Sequence, residues 1–350
     1  VMRQMRASIF IMGPLLARFK KVEVAFPGGD VIGARPIDLH LKWLSFMGAE
    51  VHNEQNLIRL SATKGLHAKR VVLEYPSVGA TENIIMAATV TPGITTIINA
   101  ALEPQVVDLI SALQKMGAHI SILTPATIEI EGVASLHPIS YEIMPDWLEA
   151  GTILIAAAAT KGSVTVTNAR ASDMDVFLLK LEEMGHTITI SDNGKRIQLI
   201  AADLPRAVSF KTGPYPSFPT DLQAPMMALQ CCAYGNSVID ETVFENRLLH
   251  ARELQKMGAV ISVEGTSARI IGVDVLYGAH TVATDIRAAT ALVIAGFMAQ
   301  GQTIMSGVHH WKRGYERLEE RLISLGARMI FESPKEDVFV KTDTQKELSL

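Results

Sequence analysis

Two carboxylates and four arginines stand in short motifs where their types and spacing could do chemistry. In PGGDVIGARPIDLH, residues 27–40, two glycines precede Asp30, and Arg35 follows just before a proline. A carboxyl on such a loop can deliver a proton if its surroundings raise its pKa, and a guanidinium offers the planar fork that meets phosphate or carboxylate with two hydrogen bonds. Both residues also have plain structural readings, an Asx turn after Gly28-Gly29 and a solvated surface charge. Asp221 lies in FPTDLQAP, where proline and threonine start a helix and an acidic residue suits its N-terminal dipole. Arg6, Arg287 and Arg313 supply further guanidiniums in MRAS, TDIRAA and KRGYER. Ser77, Val78 and Gly79 in PSVGATEN present backbone amides just ahead of a helix, a natural diphosphate seat, though a Ser-Val-Gly turn alone is unspecific.

The elements that must position these groups recur. SFMGAEV, QKMGAHI, EEMGHTI, QKMGAVI and ISLGARM carry Gly48, Gly117, Gly185, Gly258 and Gly326, at intervals of 69, 68, 73 and 68 residues. Each phrase closes a helix-period pattern; Val106, Leu109, Ile110 and Leu113 define one buried face, and the glycine then caps the helix before a strand. Gly93, Gly162, Gly235 and Gly301 mark a second junction, from an apolar helix to a short strand. Each repeat reads helix, strand, helix, then two strands with a turn. The Ala-rich helices MAATV, ILIAAAAT and ATALVIAGFMA are apolar nearly all round, which places them inside with sheet outside. A repeat near seventy residues is too long for the usual solenoids and predicts compact domains of a few repeats each.

Length and composition set the limits. The chain has 350 residues, 48% of them hydrophobic, enough for two domains. A net charge of −4 with interspersed signs gives no footprint for nucleic acid or an anionic membrane. The apolar runs Ile153–Ala159 and Ala291–Ala299 are too short to span a bilayer. The opening VMRQMRASIFIMGPLLARFKK has a basic end and an apolar stretch but no small-residue cleavage site, so a cytoplasmic protein is expected. Cys231 and Cys232 are adjacent, where a mutual disulfide is strained, and read as buried thiols in a reducing compartment.

PGGDVIGARPIDLH, PSVGATEN, FPTDLQAP, ETVFENR, TDIRAA and KRGYERLEERLISLGA, in this order across nearly the whole chain, resemble the UDP-N-acetylglucosamine 1-carboxyvinyltransferases. These are the enolpyruvyl transferases that open bacterial peptidoglycan synthesis. The resemblance implies an α/β fold of two domains, an inside-out α/β barrel of βαβαββ repeats around buried helices, with the active site in the cleft between the domains. Five repeats against the family's six imply that the first is absent, and with it an early Lys-Asn pair that helps bind the donor. Residues 1–144 then form the first domain, with two repeats and the Asp30 loop. Residues 145–336 form the second, with three, and 337–350 a polar tail.

The implied reaction joins the enolpyruvyl group of phosphoenolpyruvate to a sugar hydroxyl of UDP-N-acetylglucosamine and releases phosphate, without metal or organic cofactor. It needs a base at the hydroxyl, an acid at the methylene carbon, and cations for a carboxylate and a phosphate. By resemblance Asp30 is the proton donor, at the position where many members carry the cysteine that fosfomycin alkylates. Asp221 is the base, Arg6, Arg35, Arg287 and Arg313 bind the donor, and Arg313 counts with Asp30 and Asp221 among the catalytic residues. Arg35, Pro36, Ile37, Asp38 and Leu39, with Ser77, Val78, Gly79, Thr220, Asp221 and Val243, contact the nucleotide sugar, and Glu245 shapes the site. Glu103 and Asp146 resemble acidic residues near the cleft, with structural salt bridging an equal reading. His40 reads as a packed or capping residue.

The chain departs from the pattern at Trp147, where arginine is common, and at Gln105, where an acid is frequent. Three other readings stay open on sequence alone: a shikimate-phosphate enolpyruvyl transferase, a non-catalytic UDP-sugar-binding paralogue, and an inactive fragment.

Overall fold

The computed structural model describes residues 5–54, 56–331 and 337–342. The chain divides into two compact units, one made of the stretch up to Gly29 with Arg35–Met144, the other of Asp30–Ala34 with Pro145 onward. The Asp30 loop, expected with the first domain, thus groups with the second unit. The physical reason is local: Asn246 N donates to Ile32 O at 3.0 Å, and Gly33 lies so close to the Glu245 carboxylate that any Cβ there would collide with it.

The first unit holds α1 (Met12–Phe19), β1 (Lys21–Ala25), α2 (Asp38–Phe46), β2 (Glu50–Glu54) and β3 (Leu57–Ser61), then β4 (Arg70–Val72), α3 (Val78–Ala88), β5 (Ile94–Ile98), α4 (Pro104–Lys115), β6 (His119–Leu123) and β7 (Thr127–Glu131). Its sheets run β1-β3-β2 and β4-β5-β7-β6. In the second sheet β4 is parallel to β5 and the other pairs are antiparallel, which is the βαβαββ order. Strand positions alternate, as in β7, where Ile128 and Ile130 are buried beside outward Glu129 and Glu131. Inside, α1 lies against α3, and the approach is close because Gly13 has no side chain: a Cβ there would strike the Asn83 carbonyl.

The second unit repeats the plan three times. First come α5 (Trp147–Ala159), β8 (Ser163–Thr167), α6 (Asp175–Glu183), β9 (Thr187–Ser191) and β10 (Arg196–Ile200). Next are β11 (Phe210–Lys211), α7 (Thr220–Gln230), β12 (Asn236–Asp240), α8 (His250–Lys256), β13 (Val260–Glu264) and β14 (Ser267–Ile271). Last are β15 (His280–Val282), α9 (Ile286–Met298), β16 (Gly301–Ser306), α10 (Val308–Gly314), α11 (Leu318–Ser324), β17 (Met329–Phe331) and β18 (Asp337–Thr342). The sheets run β8-β10-β9, β11-β12-β14-β13 and β15-β16-β18-β17. Helices α5, α7 and α9 pack on one another inside. Nine consecutive residues of α9, Ala288–Gly296, are buried, and so are nine of α7, Leu222–Gln230. A helix with no polar face can be stable only where sheet covers every side of it.

The five glycines of the repeated phrase have φ between 95° and 112°, the left-handed turn that ends each helix. The short leading strands β4, β11 and β15 add to the repeat as read from sequence. The expected polar tail is corrected as well: residues 337–342 are strand β18, paired antiparallel with β16 on one side and β17 on the other. Residues 343–350 lie outside the described residues.

Candidate active site

In the first unit the site begins at two guanidiniums. Arg6 opens a short 3-10 segment ahead of α1, and its Nη2 donates to Arg35 O and, at 3.2 Å, to Pro36 O. Arg35 has φ 44°, and its Nη1 lies where only glycine fits: a Cβ on Gly29 would stand 2.9 Å from it. Burial and the neighbouring Arg35 charge both lower the pKa of Arg6. Two like charges held together in this way gain from an anion that neutralises both.

The turn that follows starts α2, with Ile37 at the N-cap, Asp38 in the first turn, where its charge suits the dipole, and Leu39 next. His40 is buried, its Nδ1 2.8 Å from the Asn83 amide nitrogen. Asn83 Nδ2 also donates to Ile9 O at 3.0 Å, and its Oδ1 accepts from Gly13 N at 2.7 Å. Burial, with the Arg6 charge, pushes His40 down to about 4, so the ring is neutral near pH 7. With Nδ1 accepting from Asn83, the ring proton sits on Nε2. His40 is therefore packed, as its sequence reading held.

Ser77 caps α3, its Oγ accepting from Ala80 N at 3.3 Å, and Val78 and Gly79 are the first helical residues. A Cβ on Gly79 would meet Phe10 Cε1 at 2.7 Å and His40 Cε1 at 2.9 Å. This N-terminus is thus buttressed at Gly79 by Phe10 and His40. Behind it, burial and Glu103 push the Glu82 carboxyl up to about 7.

In the second unit the centre is Asp221, in the first turn of α7. Arg247 Nη2 donates to its Oδ1 at 2.6 Å and Arg287 Nη2 to its Oδ2 at 3.0 Å. Burial works against the carboxylate, but the charges of Arg287 and Arg247 prevail and hold it well below the usual carboxylate range. Arg287, buried yet held charged by Asp221, extends its Nη1 to Tyr315 Oη at 2.8 Å. Tyr315 Oη in turn meets Thr290 Oγ1 at 3.1 Å and Thr152 Oγ1 at 3.0 Å.

Thr220 sits beneath, accepting from Arg247 Nη1 at 3.0 Å and donating to Glu241 Oε2 at 2.8 Å. Glu241, fully buried, closes the turn by accepting from Val243 N at 2.8 Å and Phe244 N at 3.1 Å. Sequence reasoning missed Arg247, Glu241 and Tyr315, although ETVFENR and KRGYER contain all three. Their side-chain partners are 21 residues away or more, or across a turn that only the fold defines.

Asp30 lies at the start of α9. Its Oδ1 accepts from Arg313 Nη1 at 2.9 Å, and its Oδ2 from Ile286 N at 3.3 Å. His310 Nδ1 stands 3.4 Å from Oδ1, and burial with the neighbouring His309 lowers its pKa. The structure therefore gathers Asp30 with Arg313, and Asp221 with Thr220 and Arg287, within the second unit. In the first unit it gathers Arg6 and Arg35.

Other residues have structural roles. Asp146 caps α5, accepting from Leu148 N at 2.9 Å and Glu149 N at 3.1 Å. Trp147 is buried in the first turn of α5, where an arginine would need a partner. Cys231 is buried and Cys232 half-buried; both are unpaired, and burial pushes both thiols up. No helix among the described residues is long and apolar enough to cross a membrane.

This chain is 47% identical over 329 residues to a UDP-N-acetylglucosamine 1-carboxyvinyltransferase of Saccharophagus degradans, covering 94% of this chain and 78% of that protein. It belongs to the enolpyruvyl (1-carboxyvinyl) transferase family. A second relative, UDP-N-acetylglucosamine 1-carboxyvinyltransferase 1 of Caldanaerobacter subterraneus subsp. tengcongensis, is also 47% identical, with 94% of this chain and 79% of that protein covered. A family model described as EPSP synthase (3-phosphoshikimate 1-carboxyvinyltransferase) matches residues 1–322 of the transferase. Among solved structures, the enolpyruvyl transferase NikO from Streptomyces tendae matches with a TM-score of 0.82 at 24% identity, covering 97% of this chain and 78% of that one. EPSP synthase from Acinetobacter baumannii matches at 0.70 and 18%, with 90% and 76% covered. The transferase has the enolpyruvyl transferase fold, as its motifs implied.

Proposed function

We propose that this chain transfers the enolpyruvyl group of phosphoenolpyruvate to the 3-hydroxyl of UDP-N-acetylglucosamine and releases phosphate. The observation that carries the reading is the Asp221 carboxylate between Arg247 and Arg287, in a chain whose relatives at 47% identity bear that activity's name. A carboxylate and two guanidiniums gathered at one helix start supply a group for the acceptor hydroxyl and cations for the donor's carboxylate and phosphate.

In this reading Asp221 removes the hydroxyl proton as the oxygen adds to C2 of the donor. Asp30 delivers a proton to C3 once Arg313, 2.9 Å from it in the free chain, has turned to the donor. The tetrahedral adduct then returns a C3 proton to the Asp30 carboxylate as the C2–O bond to phosphate breaks, which restores the double bond and releases phosphate. Arg6 and Arg35 serve the phosphate, and Arg287 and Arg313 serve the donor. Pro36, Ile37, Asp38, Leu39, Ser77, Val78, Gly79, Thr220 and Val243 serve the nucleotide sugar, with the diphosphate on the amides that open α3. The step belongs to peptidoglycan synthesis in the cytoplasm; the unpaired thiols of Cys231 and Cys232 are in keeping with a reducing compartment.

The matching family model is named for a shikimate-phosphate acceptor, while the relatives at 47% identity are named for the UDP-sugar one. Phosphate release from phosphoenolpyruvate, measured with each acceptor in turn and with both together, tests the two. Turnover with UDP-N-acetylglucosamine is the expected result, and turnover with shikimate 3-phosphate alone would overturn it.

A further inference from the structure

Asp221 carries a contradiction that the surrounding geometry resolves. Assigned as the base, it has both oxygens held by guanidinium nitrogens, at 2.6 Å and 3.0 Å. A carboxylate so satisfied has little affinity for a hydroxyl proton, because the cations that stabilise its charge oppose protonation.

The two arginines are not equivalent. The Arg247 side chain is 4% exposed, and its second arm is fixed on Thr220, which stands on the buried Glu241. Arg287 is 12% exposed, and its second arm rests on the neutral hydroxyl of Tyr315. Arg247 has an internal frame to remain in, whereas Arg287 is held by one charged partner and one uncharged one.

The other titratable groups near the cluster lie behind it. Asp285 caps α9 by accepting from Arg287 N and Ala288 N, both at 2.9 Å. Glu241 is turned to Thr220 and the Val243 and Phe244 amides. His250 is pushed down to about 4, chiefly by burial, and stays neutral near pH 7.

We propose that the anionic donor switches Asp221 on as a base by drawing Arg287 away from it. The proposal rests on the preceding reading, in which Arg287 serves the donor. One guanidinium then has two anionic claimants, and donor binding transfers it from Asp221 to the substrate. Asp221 accepts the hydroxyl proton once it has lost that partner. The O–H pair becomes the new C–O bond, and the C2=C3 pair takes its proton at C3 from Asp30. Arg247, in its frame, keeps the Asp221 carboxyl in place as a positioning residue. Without donor the acceptor hydroxyl meets only a weak base, which couples deprotonation to donor arrival.

The test is a double-mutant cycle read by calorimetric titration with 2-phospholactate, the saturated analogue of the donor, on the full chain. If Asp221 and the analogue compete for Arg287, Asp221→Asn tightens binding by about tenfold, and the gain falls below about threefold when Arg287→Lys is already present. An equal gain in both backgrounds, or none, overturns the switch and leaves the transferase reading standing. Failure of all four chains to bind the analogue removes the donor reading of the site and the switch with it. Should Asp221→Asn lose its cooperative melt, the pH profiles of Arg287→Lys decide: if the switch holds, the acid limb of kcat/KM, which reports the free enzyme, moves up by about one pH unit while that of kcat, which reports the loaded enzyme, stays in place. An acid limb of kcat that moves up as well shows Arg287 still on Asp221 in the loaded enzyme and overturns the switch.

Discussion

Arg287 touches Asp221 with one nitrogen, at 3.0 Å, and Tyr315 with the other, at 2.8 Å, although the three residues come from three separate stretches of chain. The relationship ties the start of α7 to the start of α9 and places a carboxylate under the control of a cation.

Replacing Asp221 should separate binding from chemistry. Asp221→Asn and Asp221→Ala are expected to lower kcat by about a hundredfold or more, the usual worth of a general base, with UDP-N-acetylglucosamine affinity within a few fold of the parent. Phosphate release and calorimetry measure the two quantities. Near-normal turnover in either variant would remove Asp221 from the base role.

Asp30 offers a chemical test of its own. A carboxylate is a far poorer nucleophile toward an epoxide than a thiolate, so the parent chain should keep its activity in fosfomycin. Asp30→Cys should gain sensitivity, with a covalent mass increase on that residue. A variant that is active, unmodified and still resistant would break the assignment of Asp30 to the loop position that reacts.

His40 predicts an acid weakness in the first unit. Its pKa is about 4 when folded against an ordinary 6.5, so the unfolded chain binds the extra proton between those limits. Stability is therefore complete above pH 6.5, falls as pH drops toward 4, and changes no further below it; the full span is worth about 3 kcal/mol. Urea melts of the parent and His40→Gln at pH 7 and pH 4.5 measure it. The variant should lose less on acidification, and equal slopes would show that the ring is not the titrating group.

Glu82 predicts the opposite slope in the same unit. Burial and Glu103 raise it to about 7 from 4.5, so the folded chain holds a proton that the unfolded chain has released. Its contribution is present below pH 4.5 and is lost as pH rises through 7, again about 3 kcal/mol at most. Glu82→Gln should therefore be more stable than the parent at pH 8 and close to it at pH 4.5. A difference that does not grow with pH would contradict the shift.

The repeats were legible because their marks are local. Glycines at Gly48, Gly117, Gly185, Gly258 and Gly326 end helices by backbone geometry alone, and the Ala-rich runs of α5 and α9 announce their burial. Helix α7 hid the same burial behind Gln223, Pro225 and Gln230. The Gln230 amide satisfies itself on Val208, donating to its carbonyl at 2.6 Å and accepting from its amide at 3.1 Å, a pairing no local pattern reveals. Strand β18 was misread because a six-residue strand flanked by polar residues resembles a tail until its partners β16 and β17 are known.

The site divided along the same line. The turn at Ser77 could be placed ahead of a helix from sequence, since a helix start is a short-range feature, whereas Asp146, read as a cleft acid or salt-bridge partner, proves to be the cap of α5. Arg247 and Tyr315 could not, because nothing within their motifs says which carboxylate or guanidinium they meet. Asp30 was assigned to the wrong unit for a related reason: its loop is contiguous with the first unit in sequence and is held by Asn246 and Arg313 in space.

In all five sheets among the described residues the strand translated last lies inside, not at an edge: β3 between β1 and β2, β7 between β5 and β6, β10 between β8 and β9, β14 between β12 and β13, and β18 between β16 and β17. A ribosome releasing this chain in order therefore presents, five times over, two strands with a gap between them and no means of joining until the next segment emerges. Each gap leaves backbone donors and acceptors unpaired for the time that segment takes to appear, the interval in which a nascent sheet is open to the wrong partner. The fold is thus built by late insertion, one keystone per repeat.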